Sequence, residues 1–180
     1  AEIPPQRPTA PSPGTWQTST TLGVPTARHE CAVALVGQRL VLLGGRGKKP
    51  VDVLDLTTMR WSRGAMPPVE LHHFQAVTVG GLVYVVGALT GGYPAEPAVP
   101  EVHVYDPAND AWRTAGVVPE ARRRGAAGVA VHEGRLYVAG GTTEGHNGGF
   151  VPWLDVFDPA SGTWEVLPDA PRPRDRAQAG

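Results

Sequence analysis

The chain predicts an all-β fold made of repeated four-stranded sheets, and three observations carry that prediction. A pattern recurs three times: an apolar run closed by glycine, then a large residue followed by Asp, then Trp. Leu40-Val41-Leu42-Leu43-Gly44-Gly45 leads to Leu54-Asp55 and Trp61. Leu82-Val83-Tyr84-Val85-Val86-Gly87 leads to Tyr105-Asp106-Pro107 and Trp112. Leu136-Tyr137-Val138-Ala139-Gly140-Gly141 leads to Phe157-Asp158-Pro159 and Trp164. The spacing inside the pattern is also fixed: Leu54, Tyr105 and Phe157 each lie seven residues before their Trp, and the Trp-to-Trp intervals are 51 and 52 residues. Such a period marks a repeat architecture. Finally, the 23 Gly and 19 Pro are scattered among β-branched runs, as turns between many short strands require.

Taken in order, residues 1–14 hold Pro4, Pro5, Pro8, Pro11 and Pro13, a polyproline-like lead that cannot build a core. Gly14-Thr15-Trp16-Gln17-Thr18 matches the Trp end of the repeat without its beginning and reads as the outer strand of a sheet whose other strands lie elsewhere. In the first full unit, Cys31 to Val36 is a small apolar strand expected to be buried on both faces. Gly37-Gln38 turns it into Arg39 to Leu43, the double Gly closes that strand, Val51 to Leu56 is the third strand, and Arg60 to Arg63 carries Trp61. The second unit repeats this with Phe74 to Val79, Leu82 to Val86, Val102 to Tyr105 and Ala111 to Thr114. The third has Ala127 to Val131, Arg135 to Ala139, Leu154 to Phe157 and Thr163 to Val166. Asp-Pro turns follow the third strands of the last two units, where Asp bonds nearby backbone and Pro presets φ. Residues Arg174 to Gly180 align with Leu71 to Val77 and with Arg124 to Ala130, so a fourth copy begins there.

Composition narrows the function classes. At 41% hydrophobic and 18% charged, the chain has the apolar material for a core. A formal net charge of −1 gives no global attraction to nucleic acid or anionic membrane. No apolar run approaches the ~18 residues of a membrane-spanning helix. The single Cys31 cannot form an intrachain disulfide and leaves the redox compartment open. There is no nucleophile motif, phosphate-binding loop or dinucleotide fingerprint.

Four-strand units at this period, with paired Gly closing strand two and Trp on strand four, resemble kelch repeats over residues 15–180. The departures are Ala88 for the second Gly of unit two, and Val41 and Leu54 for the tyrosines of unit one. The resemblance implies a β-propeller segment: complete blades at about residues 28–67, 71–118 and 122–169, an outer strand before them and the start of a further blade after them. Blades stack because a lone twisted sheet cannot bury both faces. Three blades do not close a ring, so the remaining blades of a longer propeller, or a second copy of the chain, are expected partners. The resemblance to exported bacterial propellers, with the start at Ala1, leans toward a secreted or periplasmic protein.

The resemblance also implies that ligands meet the face carrying the starts of the first strands and the loops between strands two and three. That face carries Arg28, His29 and Glu30; His72 and His73; Arg122 and Arg124; and Arg174. Its loops add Arg46 and Lys48, then Tyr93 and Glu96, then Glu144, His146 and Asn147. Arginine forks suit carboxylates or phosphates, so the expected function is a ligand- or protein-binding module for an anionic or acidic ligand, or else arginines that merely pair with Glu30, Glu70 or Glu120. No cofactor and no metal site is expected: adjacent His72 and His73 in a strand point to opposite sides, and no strong ligand spacing is present. The enzyme alternatives are sugar-acid mutarotases and copper-radical oxidases of the galactose oxidase kind. Cys31 matches the oxidases' crosslinked cysteine position, but Phe74 lacks the phenol they need.

Overall fold

The computed structural model describes residues 14–175. The Pro-rich lead up to residue 13 and the last five residues of the fourth copy fall outside this range. The described residues form twelve strands: β1 Cys31–Val36, β2 Arg39–Gly44, β3 Asp52–Asp55, β4 Arg60–Arg63, β5 Ala76–Val79, β6 Leu82–Val85, β7 Glu101–Asp106, β8 Ala111–Val117, β9 Gly128–His132, β10 Arg135–Ala139, β11 Leu154–Asp158 and β12 Thr163–Leu167. They make three antiparallel four-stranded sheets, each in simple meander order. No helix among the described residues is long and apolar enough to cross a membrane.

The recurring seven-residue interval has a direct structural cause. Leu54, Tyr105 and Phe157 stand in register opposite Trp61, Trp112 and Trp164 on the third and fourth strands of their blades. The ring pairs Tyr105–Trp112 and Phe157–Trp164 are 5.3 Å and 5.0 Å apart. The Asp that follows each large residue closes the connecting turn. Asp55 accepts from the Thr57 and Thr58 amides, Asp106 from those of Ala108 and Asn109, and Asp158 from that of Ala160. Four residues after each Asp, Met59, Asp110 and Gly162 all take positive φ, so the three turns share one geometry.

Alternation along the strands divides the core. In β6, Val83 and Val85 face the first blade, together with Val41, Leu43 and Tyr105. Tyr84 and Val86 face the third, with Val129, Leu136, Val138 and Phe157. Side chains of period two therefore stack the middle blade between its neighbours. The innermost strands β1, β5 and β9 lie side by side, β5 between the other two.

Two expectations change. β1 is buried on one face only: Ala34 packs toward the second blade, while Val33 and Leu35 are 50% and 56% exposed, because no described blade lies on that side. The segment around Trp16 forms no strand, and Trp16 is fully exposed; only Leu22 bridges, in parallel, to Arg60. An outer strand needs a third strand to pair with, and each described blade already supplies its own fourth.

The glycine pairs bring each blade to the next. A Cβ on Gly44 would lie 2.6 Å from the Leu71 carbonyl oxygen, and one on Gly140 would lie 2.4 Å from that of Arg174. The neighbouring amides use this closeness: Gly45 donates to Leu71 and Gly141 to Arg174. Arg174 thus stands where Leu71 stands, at the start of the next repeat.

Candidate functional site

The starts of β1, β5 and β9 share one face with the loops 45–51, 86–100 and 140–153. Bridges between Gly45 and Leu71, His72 and Leu89, and Gly125 and Thr142 pin these loops to the strand starts. The opposite face carries two-residue hairpins. Gly80 and Gly81, and likewise Glu133 and Gly134, have the paired positive φ that such tight turns need.

The arginines of this face lie inward. Arg28 pairs with Asp52, and both side chains are almost fully buried. Its remaining donors reach the carbonyls of Thr26, Gly44 and Pro50. Arg124 repeats the arrangement in the third blade: it pairs with Asp155 at 2.7 Å and donates to the carbonyls of Arg122, Val138 and Gly140. Burial pushes the Arg124 pKa below the usual guanidinium value, with Asp155 opposing. Arg122 donates to the same Asp155 at 2.9 Å and lies 4.4 Å from the Trp153 ring. The expected pairing with Glu30, Glu70 or Glu120 is therefore corrected: the partners are Asp52 and Asp155, each two residues before the large residue of its repeat. Each guanidinium thus uses four of its five N–H donors within its own blade, and both side chains are buried away from a ligand.

The middle blade solves the same position differently. Leu71 replaces the arginine, and His103 replaces the aspartate two residues before Tyr105. His103 is buried, neither ring nitrogen makes a hydrogen bond, and burial lowers its pKa despite nearby Glu101. Loss of the buried cation and loss of its counter-charge go together, since either alone would leave an uncompensated charge.

A second cluster joins three blades. Arg46, after β2, pairs with Glu30 and with Glu96 of the 86–100 loop, and also donates to the Gly91 carbonyl at 3.1 Å. Glu96 is buried, and its second oxygen lies 3.3 Å from His146 Nδ1 of the 140–153 loop. Burial is the largest single influence on Arg46 and Glu96 and opposes ionisation of both, but hydrogen bonds and opposite charges together outweigh it, Glu30 and Glu96 acting on the arginine and Arg46 with the nearby histidines on the carboxylate: the arginine pKa rises and the carboxyl pKa falls. The His146 amide donates to the Pro94 carbonyl, and the Tyr93 and His146 rings sit 5.1 Å apart. Arg46 and Glu96 were legible only as loop residues; their central place depends on contacts between blades that no local spacing encodes.

The histidines of the middle blade are also placed unexpectedly. His73 has φ +49, which breaks strand alternation and delays β5 to Ala76. Its ring turns toward that of His72, and their Nδ1 atoms are 2.8 Å apart. The argument that adjacent residues point to opposite sides therefore fails here. Glu30 and Ala126 occupy the same repeat position and also have positive φ, so the local twist belongs to the repeat. Donor atoms of Glu30, His72 and His73, and of His73, Glu96 and His146, form two groups each within 4.8 Å.

The candidate residues thus separate by depth. Arg28, His72 and Arg124 are buried or nearly so; Glu30, His73, Arg122 and His146 are partly buried; His29, Lys48, Tyr93, Glu144, Asn147 and Arg174 are exposed.

Comparison with known proteins matches the repeat geometry. The family model described as the KLHDC2/KLHL20/DRC7 Kelch-repeats domain covers residues 12–179. The kelch-like protein terF of Aspergillus terreus is 32% identical over 194 residues, spanning 94% of this chain and 41% of that protein. Kelch-like protein 35 of Mus musculus is 29% identical over 167 residues, spanning 90% of this chain and 26% of that protein. The structure of YjhT is similar with a TM-score of 0.69 at 18% identity, covering 84% of this chain and 54% of that one, a likeness of fold. The chain spans less than half the length of these two curated relatives.

Proposed function

Since the chain belongs to the kelch-repeat family of β-propellers, we propose that it is a protein-binding module meeting its partner with the loop face around the central channel. The observation that supports this most is the lock across three blades: Arg46 grips Glu96 and Gly91 from one side, and His146 meets Glu96 from the other. Loops tied in this way form one preorganised surface, which loses less conformational entropy on binding than separate mobile loops. On that surface Tyr93 and Phe150 are 66% and 47% exposed. The same face also carries the exposed His29, Lys48, Glu144, Asn147 and Arg174. Aromatic anchors among polar neighbours are the composition of protein interfaces.

The acidic small-molecule ligand expected from the arginines loses its support, because Arg28 and Arg124 spend their donors on aspartates and backbone carbonyls. The exposed Lys48 and Arg174 remain to meet acidic side chains on a protein partner. The test is quantitative co-purification with the full-length protein from its own cells. Tyr93→Ala and Asn147→Ala deplete a specific partner, and Gln38→Ala, on the hairpin face, does not. Depletion by Gln38→Ala with full recovery in the two loop variants would overturn the assignment.

A further inference from the structure

We propose that His73, Glu96 and His146 form a binding site for a divalent transition-metal ion of the zinc class, beneath Tyr93 on the loop face. The three side chains come from the start of β5 and from two loops of different blades. Each offers one donor atom, and the three donors lie within 4.8 Å of one another. Zinc bonds of about 2.0–2.2 Å at tetrahedral angles place ligand atoms roughly 3.3 Å apart. Glu96 Oε2 and His146 Nδ1 already have that spacing, 3.3 Å. The remaining donor pairs lie within 4.8 Å, so at most about 1.5 Å is left to close when the ion binds.

Hydrogen bonding chooses this group over its neighbour, Glu30 with His72 and His73. His72 Nε2 lies 3.0 Å from the Gly91 carbonyl oxygen, which only accepts, so that nitrogen carries the hydrogen. Neutral His72 then has a bare Nδ1, and His73 Nδ1–H donates to it across 2.8 Å, with Glu30 3.4 Å away. The lone pair left on His73 is that of Nε2. A histidine whose far N–H is held by a fixed acceptor is the usual arrangement of a metal-binding imidazole. His72 and Glu30 therefore orient His73 and have no need to bind the ion themselves.

Glu96 supplies the independent sign of a ligand. Its side chain is fully buried; one oxygen is held by Arg46, and the other makes no hydrogen bond. A buried carboxylate oxygen without a donor is costly, and a cation at that point would satisfy it. Arg46 itself does not cancel the site's charge, since it is shared between Glu96 and Glu30. Two imidazoles and one carboxylate suit a borderline ion, and three protein ligands leave a coordination position open. His146 is partly exposed, so the open side faces solvent.

The experiment strips the full-length protein with a chelator and titrates it with Zn²⁺ by calorimetry and with Co²⁺ by visible absorption. The expected result is one equivalent bound, with the ligand-field bands of a low-coordinate Co²⁺ site. His146→Ala and Glu96→Gln weaken binding at least about tenfold and change those bands, since even outer-shell losses at metal sites cost that much. His132→Ala, an exposed histidine beside the Glu133-Gly134 hairpin of the opposite face, leaves binding unchanged. His146 is a partly exposed loop residue outside every strand, so its variant keeps the blades and decides the question even where Glu96→Gln loosens the loops. Absence of saturable binding to the unmodified protein, or equal affinity in His146→Ala, overturns the proposal. These readouts involve no protein partner, so they are independent of the binding function proposed above.

Discussion

Blades one and two place Arg28 with Asp52, and Leu71 with His103, at the same two repeat positions, which makes one blade a ready-made control for the other. Asp52→His in the first blade leaves the Arg28 guanidinium buried without its counter-ion, while three carbonyls still hold it in place. Removing one partner of a buried pair costs about 3–5 kcal/mol. Arg28→Leu leaves Asp52 with only its bonds from Thr26, and falls in the same range. The double variant reproduces the middle blade's solution, with no buried charge. It should be more stable than the sum of the single effects by about 2–3 kcal/mol, the upper end for residues in direct contact. Urea unfolding of the full-length protein, followed by tryptophan fluorescence, supplies all four stabilities of the cycle. Additive single and double effects would refute the reasoning, because they would mean that the charges do not depend on each other.

Further outcomes follow from the same geometry. Trp112 is partly buried against Tyr105 and the core between blades one and two, so Trp112→Ala should lower stability by about 3 kcal/mol, the low end for loss of a core aromatic; an unchanged unfolding midpoint would contradict its packing role. Burial holds the pKa of both His73 and His103 below the ordinary value, more strongly than Glu30 or Glu101 can raise it. The unfolded chain therefore binds more protons at these positions than the folded one, and their contribution is fully present above about pH 6.5 and lost as pH falls through the lower folded values. Unfolding midpoints measured from pH 7.5 down to 5 should fall, and less steeply in His103→Leu; parallel curves would contradict the assignment. A Cβ at Gly140 would strike the Arg174 carbonyl oxygen and positive φ is required there, so Gly140→Ala should be destabilising while Gly92→Ala, with open space around it, should be nearly neutral in the same denaturation assay.

Much of the fold is legible because its signals are local and repeated. The large residue, the Asp and the Trp fall within one hairpin, so their fixed interval survives as a cross-strand pair and a capped turn. The glycine pairs are likewise legible, because a blade's start must approach the backbone there. The candidate site is less so. Arg28 and Arg124 could be placed on the correct face, but their burial depends on Asp52 and Asp155, which reach them from another strand of the blade. An Asp two residues before the large residue, absent only where the arginine is absent, is the signal that points to this pairing. The convergence of His72 and His73 was hidden by a left-handed residue that no glycine or asparagine announces. Arg46, Glu96 and His146 meet only because three blades stack, a juxtaposition that depends on tertiary structure throughout.

The measurement that bears most directly on the binding function is site-specific photo-crosslinking of the full-length protein in its own cells. A photoreactive phenylalanine analogue replaces Tyr93 in one variant and Gln38, on the hairpin face, in another. A discrete crosslinked protein is expected from position 93, lost when Lys48 and Asn147 are also replaced by Ala, and none from position 38. A discrete product from position 38 with none from position 93 would contradict it.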